Sequence, residues 1–134
     1  MTLRISLRDG EKVIVNGAVL RATGRTQLRV ENNAAILRGR DVMSPEEADT
    51  PARRLYFACM MAYIDHEDIG RHQNAIIARV GELMGALQAP EAKAVCIEFA
   101  QKVAASQFYR ALADCRWLIN YEAEAVARTP VAAE

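Results

Sequence analysis

Hydrophobic and polar positions alternate over the first eight residues. Leu3, Ile5 and Leu7 share one face and Arg4, Ser6 and Arg8 the other, the period of a half-buried strand. After the turn "RDGE", the stretch "KVIVNGAVLR" reads as a hairpin. Asn16-Gly17 suits a two-residue turn whose central residues both take positive φ. That turn sets Val15 opposite Ala18, Ile14 opposite Val19, and Lys12 near Arg21. After "ATGR", "TQLRVEN" predicts another strand with Leu28 and Val30 inward and Arg29 outward, and "AAILRG" a short last one.

The period then changes. Ser44-Pro45-Glu46-Glu47 combines an N-cap, a proline at the first helical position and a glutamate at the third, which predicts a short helix. Thr50-Pro51 repeats the signal and predicts the main helix from about Pro51 to Ile64. Residues 65–68 form a polar connection. Ile69, Ile76, Ile77, Val80, Leu83, Met84 and Leu87 recur at helical spacing up to "QAP". From Pro90 to about Arg128 the chain is helical, with a break at Ala104-Ala105-Ser106 where Ser106 is placed to cap a new helix.

The predicted class is α+β: a small antiparallel β unit over residues 1–43, then three or four helices over 44–128 packed on it in one compact unit, and a frayed tail at 129–134. With 51% apolar residues, 134 residues can build a core without staples. No stretch reaches the roughly 20 apolar residues of a membrane span, and the start lacks the apolar stretch and cleavage site of a signal peptide. Cys59, Cys96 and Cys115 are odd in number and sit among apolar residues, which reads as reduced core thiols in a cytoplasmic protein. The balanced net charge conceals a split. Residues 1–45 hold eight cationic and four acidic side chains, the remainder nine and thirteen. Such a split fits either a polyanion partner for the first half or a basic sheet docked on an acidic helical layer.

Catalysis has little to draw on. Two histidines and three serines make no nucleophile motif, and the glycines punctuate turns without forming a phosphate loop. Asp68 and His72, four apart, share a helix face, but the spacing is not diagnostic of a metal site. The plainer reading has Asp65 or Asp68 capping a helix and the histidines solvated. We therefore expect no enzyme, no metal and no cofactor. Nucleic-acid contact is better supported. Arg4, Arg8 and Arg29 lie on outward strand positions. Arg38 and Arg40 flank Gly39 at the junction of the two halves. Arg53 and Arg54 occupy the first turn of a helix, where the dipole disfavours cations; they serve either an external anion or Glu46, Glu47 and Asp49 nearby. All eight aromatics fall between Tyr56 and Tyr121 and none in the β unit, so base stacking on a bare sheet is not available there. Tyr109, Trp117 and Tyr121 are the candidate anchors of a partner interface on the last helix.

Over "VIVNGAV", "VENNAAILRGRDVMSPEEADTPARRLYFA" and "FYRALADCRWLINYE", nearly the whole chain resembles the FlbT family of flagellar biosynthesis repressors. The resemblance implies a post-transcriptional regulator that associates with the 5′ untranslated region of flagellin mRNA and blocks its translation or promotes its decay, with the small flagellar protein FlaF as functional counterpart. It transfers no set of RNA-contacting residues, so the arginines above rest on their own placement. The alternative is a protein–protein adaptor in flagellin synthesis or secretion, acting through FlaF or flagellin or as a homo-oligomer, with its contacts on the helical half.

Overall fold

The computed structural model describes residues 3–65 and 67–128. The β unit comprises β1 (Leu3–Leu7), β2 (Lys12–Val15), β3 (Ala18–Arg21), β4 (Thr26–Val30) and β5 (Ile36–Arg38). They form two sheets: an antiparallel β1–β4 ribbon and a three-stranded antiparallel sheet ordered β3-β2-β5. Two 3-10 turns, Gly39–Asp41 and Pro45–Glu47, lead to four helices: α1 (Pro51–Ile64), α2 (Ile69–Ala86), α3 (Pro90–Ala104) and α4 (Phe108–Arg128). The α+β class read from the sequence is the class observed. The tail expected over 129–134 lies outside the described residues.

β2 explains the layering. Its neighbours Val13 and Ile14 are both buried, and a strand sends neighbours to opposite faces. Val13 joins Ile5, Leu7 and Ala22 in a small core between the two sheets. Ile14 joins Leu37 and the helices in the main core. The three-stranded sheet is thus sandwiched, with the ribbon on one side and helices on the other. α1 is the central helix, burying Ala52, Leu55, Tyr56, Ala58, Cys59, Met60 and Ala62. So wide an apolar surface fits a helix packed on several sides, here by α2, α4 and the sheet.

Two tyrosines of α1 dock the sheet. The Tyr63 hydroxyl accepts the Ile36 N–H at 2.9 Å and lies 3.3 Å from the Ile36 carbonyl, occupying the open edge of β5. The Tyr56 hydroxyl donates to the Asp41 carbonyl at 2.6 Å. Arg116 of α4 reaches the Asp41 carboxylate at 2.9 Å and lies over the Tyr56 ring, 5.6 Å from its centroid. Asp41, at the junction of the two halves, therefore binds both α1 and α4.

Local differences from the sequence reading have local causes. The helix expected at Ser44 is only a 3-10 turn. Its signature is intact, with the Glu47 carboxylate accepting from the Ser44 N–H and hydroxyl at 3.0 Å each. The renewed start at Thr50-Pro51 ends it. Ser106 does not cap α4. It sits at φ 58°, closing α3 with its N–H on the Val103 carbonyl, while the Gln107 N–H returns to Lys102.

A candidate nucleic-acid interface

The turn after β1 brings the cationic ends of three strands together. Gly10, at φ 81°, lets the chain reverse so that its N–H meets the Ala22 carbonyl at 2.8 Å. Asp9 accepts the Gly24 N–H at 2.7 Å, fixing the β3–β4 turn beside it. Leu7 pairs with Thr26, so Arg8 and Arg25 lie one step beyond the last rung of the ribbon. The end of β5 then adds Arg38 and Arg40. The result is an open cleft of about 880 Å³ lined by Arg8, Arg25, Arg38 and Arg40, with Asp9, Glu11, Ser6 and Gln27.

Its arginines are not equivalent. Arg38 donates to the Ser6 carbonyl at 2.8 Å and to the Glu11 carboxylate at 3.2 Å, strapping β5 to β1 and the turn. The Arg8 N–H, donating to that carboxylate at 2.9 Å, and then the Arg38 guanidinium hold the Glu11 carboxyl below its ordinary value. Arg8, Arg25 and Arg40 form no ion pair with any described residue. The cleft therefore presents three guanidinium groups without an ion pair among the described residues and one used in its construction.

The outward face of the ribbon continues this surface. Arg4 lies directly opposite Arg29, and both are exposed and without an ion pair among the described residues. Lys12 and Arg21 face each other across the hairpin in the same condition. Like charges directly opposite are unfavourable, so both rungs suit an external anion.

Arg53 and Arg54 stand apart from this surface. Arg53 pairs with Asp49 at 3.3 Å, and Arg54 with Glu82 of α2, which also takes Arg79. Of the two readings open to them, internal pairing is the one the geometry displays. Sequence reasoning missed Arg25, because only the pairing of β1 with β4 brings it beside Arg8. A trial antiparallel register of the two arginine-bearing strands was the available signal.

Of the two histidines expected to be solvated, His66 lies outside the described residues and His72 is buried: it is 8% exposed, and its Nε2 lies 2.9 Å from Asp65. Asp68 instead approaches Arg71 at 3.5 Å. On α4, Leu112, Cys115 and Leu118 point into the core. Tyr109 and Trp117 remain 50% and 40% exposed, with Tyr109 against Tyr63 and Trp117 stacked on the half-buried Tyr121. No helix among the described residues is long and apolar enough to cross a membrane.

Comparison with known proteins agrees along most of the chain. Residues 3–126 match the family model described as flagellar protein FlbT. The "Probable flagellum biosynthesis repressor protein FlbT" of Caulobacter sp. strain K31 is 41% identical over 91% of this chain and 94% of its own length. The "Flagellum biosynthesis repressor protein FlbT" of Caulobacter vibrioides is 38% identical over 92% of this chain and 89% of its own. No solved structure matches.

Proposed function

The chain belongs to the FlbT family of flagellar proteins, and on that premise we propose that it is a non-enzymatic regulator of flagellum biogenesis acting on RNA. It binds the 5′ untranslated region of flagellin mRNA in the cytoplasm and represses translation or promotes degradation, leaving the cutting to a cellular nuclease. The observation that carries this reading is the distribution of unpaired charge. Among the described residues, seven of the eight cations of the β half (Arg4, Arg8, Lys12, Arg21, Arg25, Arg29 and Arg40) have no ion pair. Six of them are arginines, which match phosphate geometry with two parallel N–H groups. Electrostatic contact with phosphate supplies affinity whatever the sequence, and the open cleft gives a strand access.

The test is titration of a flagellin mRNA leader across a salt series. Replacing Arg8, Arg25 and Arg40 by glutamine should weaken binding and flatten the slope of log K against log salt by about 2, at about 0.7 for each single-strand phosphate. Unchanged affinity and slope would remove the cleft from the RNA interface.

A second reading, an adaptor for FlaF, flagellin or another copy of the chain, is favoured by the exposed aromatics of α4. Tyr109→Ala with Trp117→Ala should abolish capture of purified FlaF or flagellin, or self-association, while leaving the salt slope of RNA binding intact. Retention of those contacts in the double variant would exclude this face.

A further inference from the structure

We propose that the outer face of the β1–β4 ribbon reads a base, with Ser6 and Gln27 forming a recognition rung between two phosphate-gripping arginine rungs and with adenine in single-stranded RNA as the preferred ligand. The inference rests on the RNA-binding reading above and adds a source of sequence preference to it.

The register supplies the geometry. Arg4 pairs with Arg29, and Ser6 with Gln27; Arg8 and Arg25 follow where the ribbon opens into the cleft. Ile5 and Leu7 are buried on the other face, so Arg4, Ser6, Gln27 and Arg29 share the outward one, while Arg8 and Arg25 follow in the turns just past the strand ends. Successive outward rungs are about 7 Å apart, so the neutral rung lies that far along the ribbon from the Arg4–Arg29 rung, with the cleft arginines beyond its other side. Two open hollows, one lined by Arg4 and Arg29 and the other the arginine cleft, share Ser6 and Gln27 as common lining. The surface is therefore continuous from one cationic rung to the next.

The chemistry of the middle rung differs from that of its neighbours. The side chains of Ser6 and Gln27 are exposed and make no hydrogen bond within the described residues. The carboxamide offers a donor and an acceptor side by side, the pattern that pairs with adenine N6 and N7. The hydroxyl opposite donates or accepts. A strand whose phosphates engage Arg4/Arg29 and Arg8/Arg25 would lay an intervening base edge over this rung. The ribbon has no aromatic residue, so guanidinium planes are the available stacking surfaces. A purely acidic peptide would satisfy the arginines but make no use of a donor–acceptor pair between them.

The experiment uses the full chain and short oligouridylates carrying a single adenine, guanine or cytosine, each titrated across a salt series. The wild type should favour the adenine oligonucleotide by about fivefold or more. Gln27→Ala should erase that preference without changing the salt slope. Arg4→Gln with Arg29→Gln should lower affinity for all the oligonucleotides alike and flatten the slope by about 1.4. No base preference in the wild type, or equal loss across bases in Gln27→Ala, overturns base reading while leaving RNA binding intact. No binding to any oligonucleotide or to the mRNA leader, even at low salt, overturns the RNA reading itself. Displacement of the adenine oligonucleotide by polyglutamate at equal charge concentration overturns the choice of RNA over an acidic peptide.

Discussion

Arg38 and Arg40 stand two positions apart with a glycine between them, and the fold gives them different roles. Arg38 is half-buried and bonded to Ser6 and Glu11, whereas Arg40 is exposed beside the cleft without an ion pair among the described residues. Arg38→Ala should therefore lower the thermal midpoint by freeing β5 from β1. Arg40→Ala should leave the midpoint unchanged, weaken leader-RNA binding and flatten the salt slope by about 0.7. Calorimetry beside a salt titration separates the two, and a stable Arg38→Ala protein would refute the strap. Asp65 permits a second residue-scale test. Its hydrogen bond with His72, and then the Glu67 N–H, hold its carboxyl below the ordinary aspartate value. A carboxylate depressed in the folded state contributes stability that is complete above the unfolded pKa and is lost as pH falls through the folded one. Asp65→Asn should lower the urea midpoint at pH 7, and the deficit should close as pH falls below the ordinary aspartate range. A deficit independent of pH would mean that the carboxylate charge is not its source.

At the scale of elements, the β2–β3 hairpin was legible down to its register because every determinant is local. Asn16 and Gly17 take φ of 50° and 86°, and Val15 pairs with Ala18 as the turn dictates. The tertiary structure then reuses the turn. Asn16 accepts the Ala35 N–H at 2.8 Å, and a Cβ on Gly17 would lie 3.3 Å from the Ile64 carbonyl at the end of α1. Gly17→Ala should consequently cost about 1–2 kcal/mol, from the left-handed backbone alone before the tight contact is added. Urea unfolding measures it, and a cost near zero would mean that the turn and α1 readily separate. β1 and β4 show the opposite case. Each strand was visible from its alternation, but their pairing across two intervening strands leaves no periodic trace, and with it Arg25 and the Ser6–Gln27 rung escaped notice. Tyr56 and Tyr63 fall within the helix that the sequence predicts over Pro51–Ile64. Their hydroxyls prove to dock β5 and the following turn, a role that only the approach of α1 to the sheet reveals.

Across the whole molecule, the charge split between halves was plain in the sequence, but which cations are compensated was not. Partners such as Arg54 with Glu82 and Arg116 with Asp41 are 28 and 75 positions apart and meet only in the folded chain. Folding sharpens the split. Arg53, Arg54, Arg71, Arg79, Lys102 and Arg116 of the helical half all form ion pairs, whereas in the β half only Arg38 does among the described residues. Location of charge, and not its total, should therefore govern RNA affinity. Two variants with equal loss of positive charge separate these possibilities. Arg8→Gln/Arg25→Gln/Arg40→Gln removes three exposed cations from the cleft. Arg53→Gln/Arg54→Gln/Arg79→Gln removes three that neutralise Asp49 and Glu82. If the cleft is the phosphate site, the first variant loses about 2 from the salt slope and keeps its thermal midpoint. The second keeps its slope and loses some stability, since each broken surface pair is worth at most about 1 kcal/mol. Two equal reductions in slope would show that a diffuse field holds the RNA, and the cleft would lose its claim as the binding site.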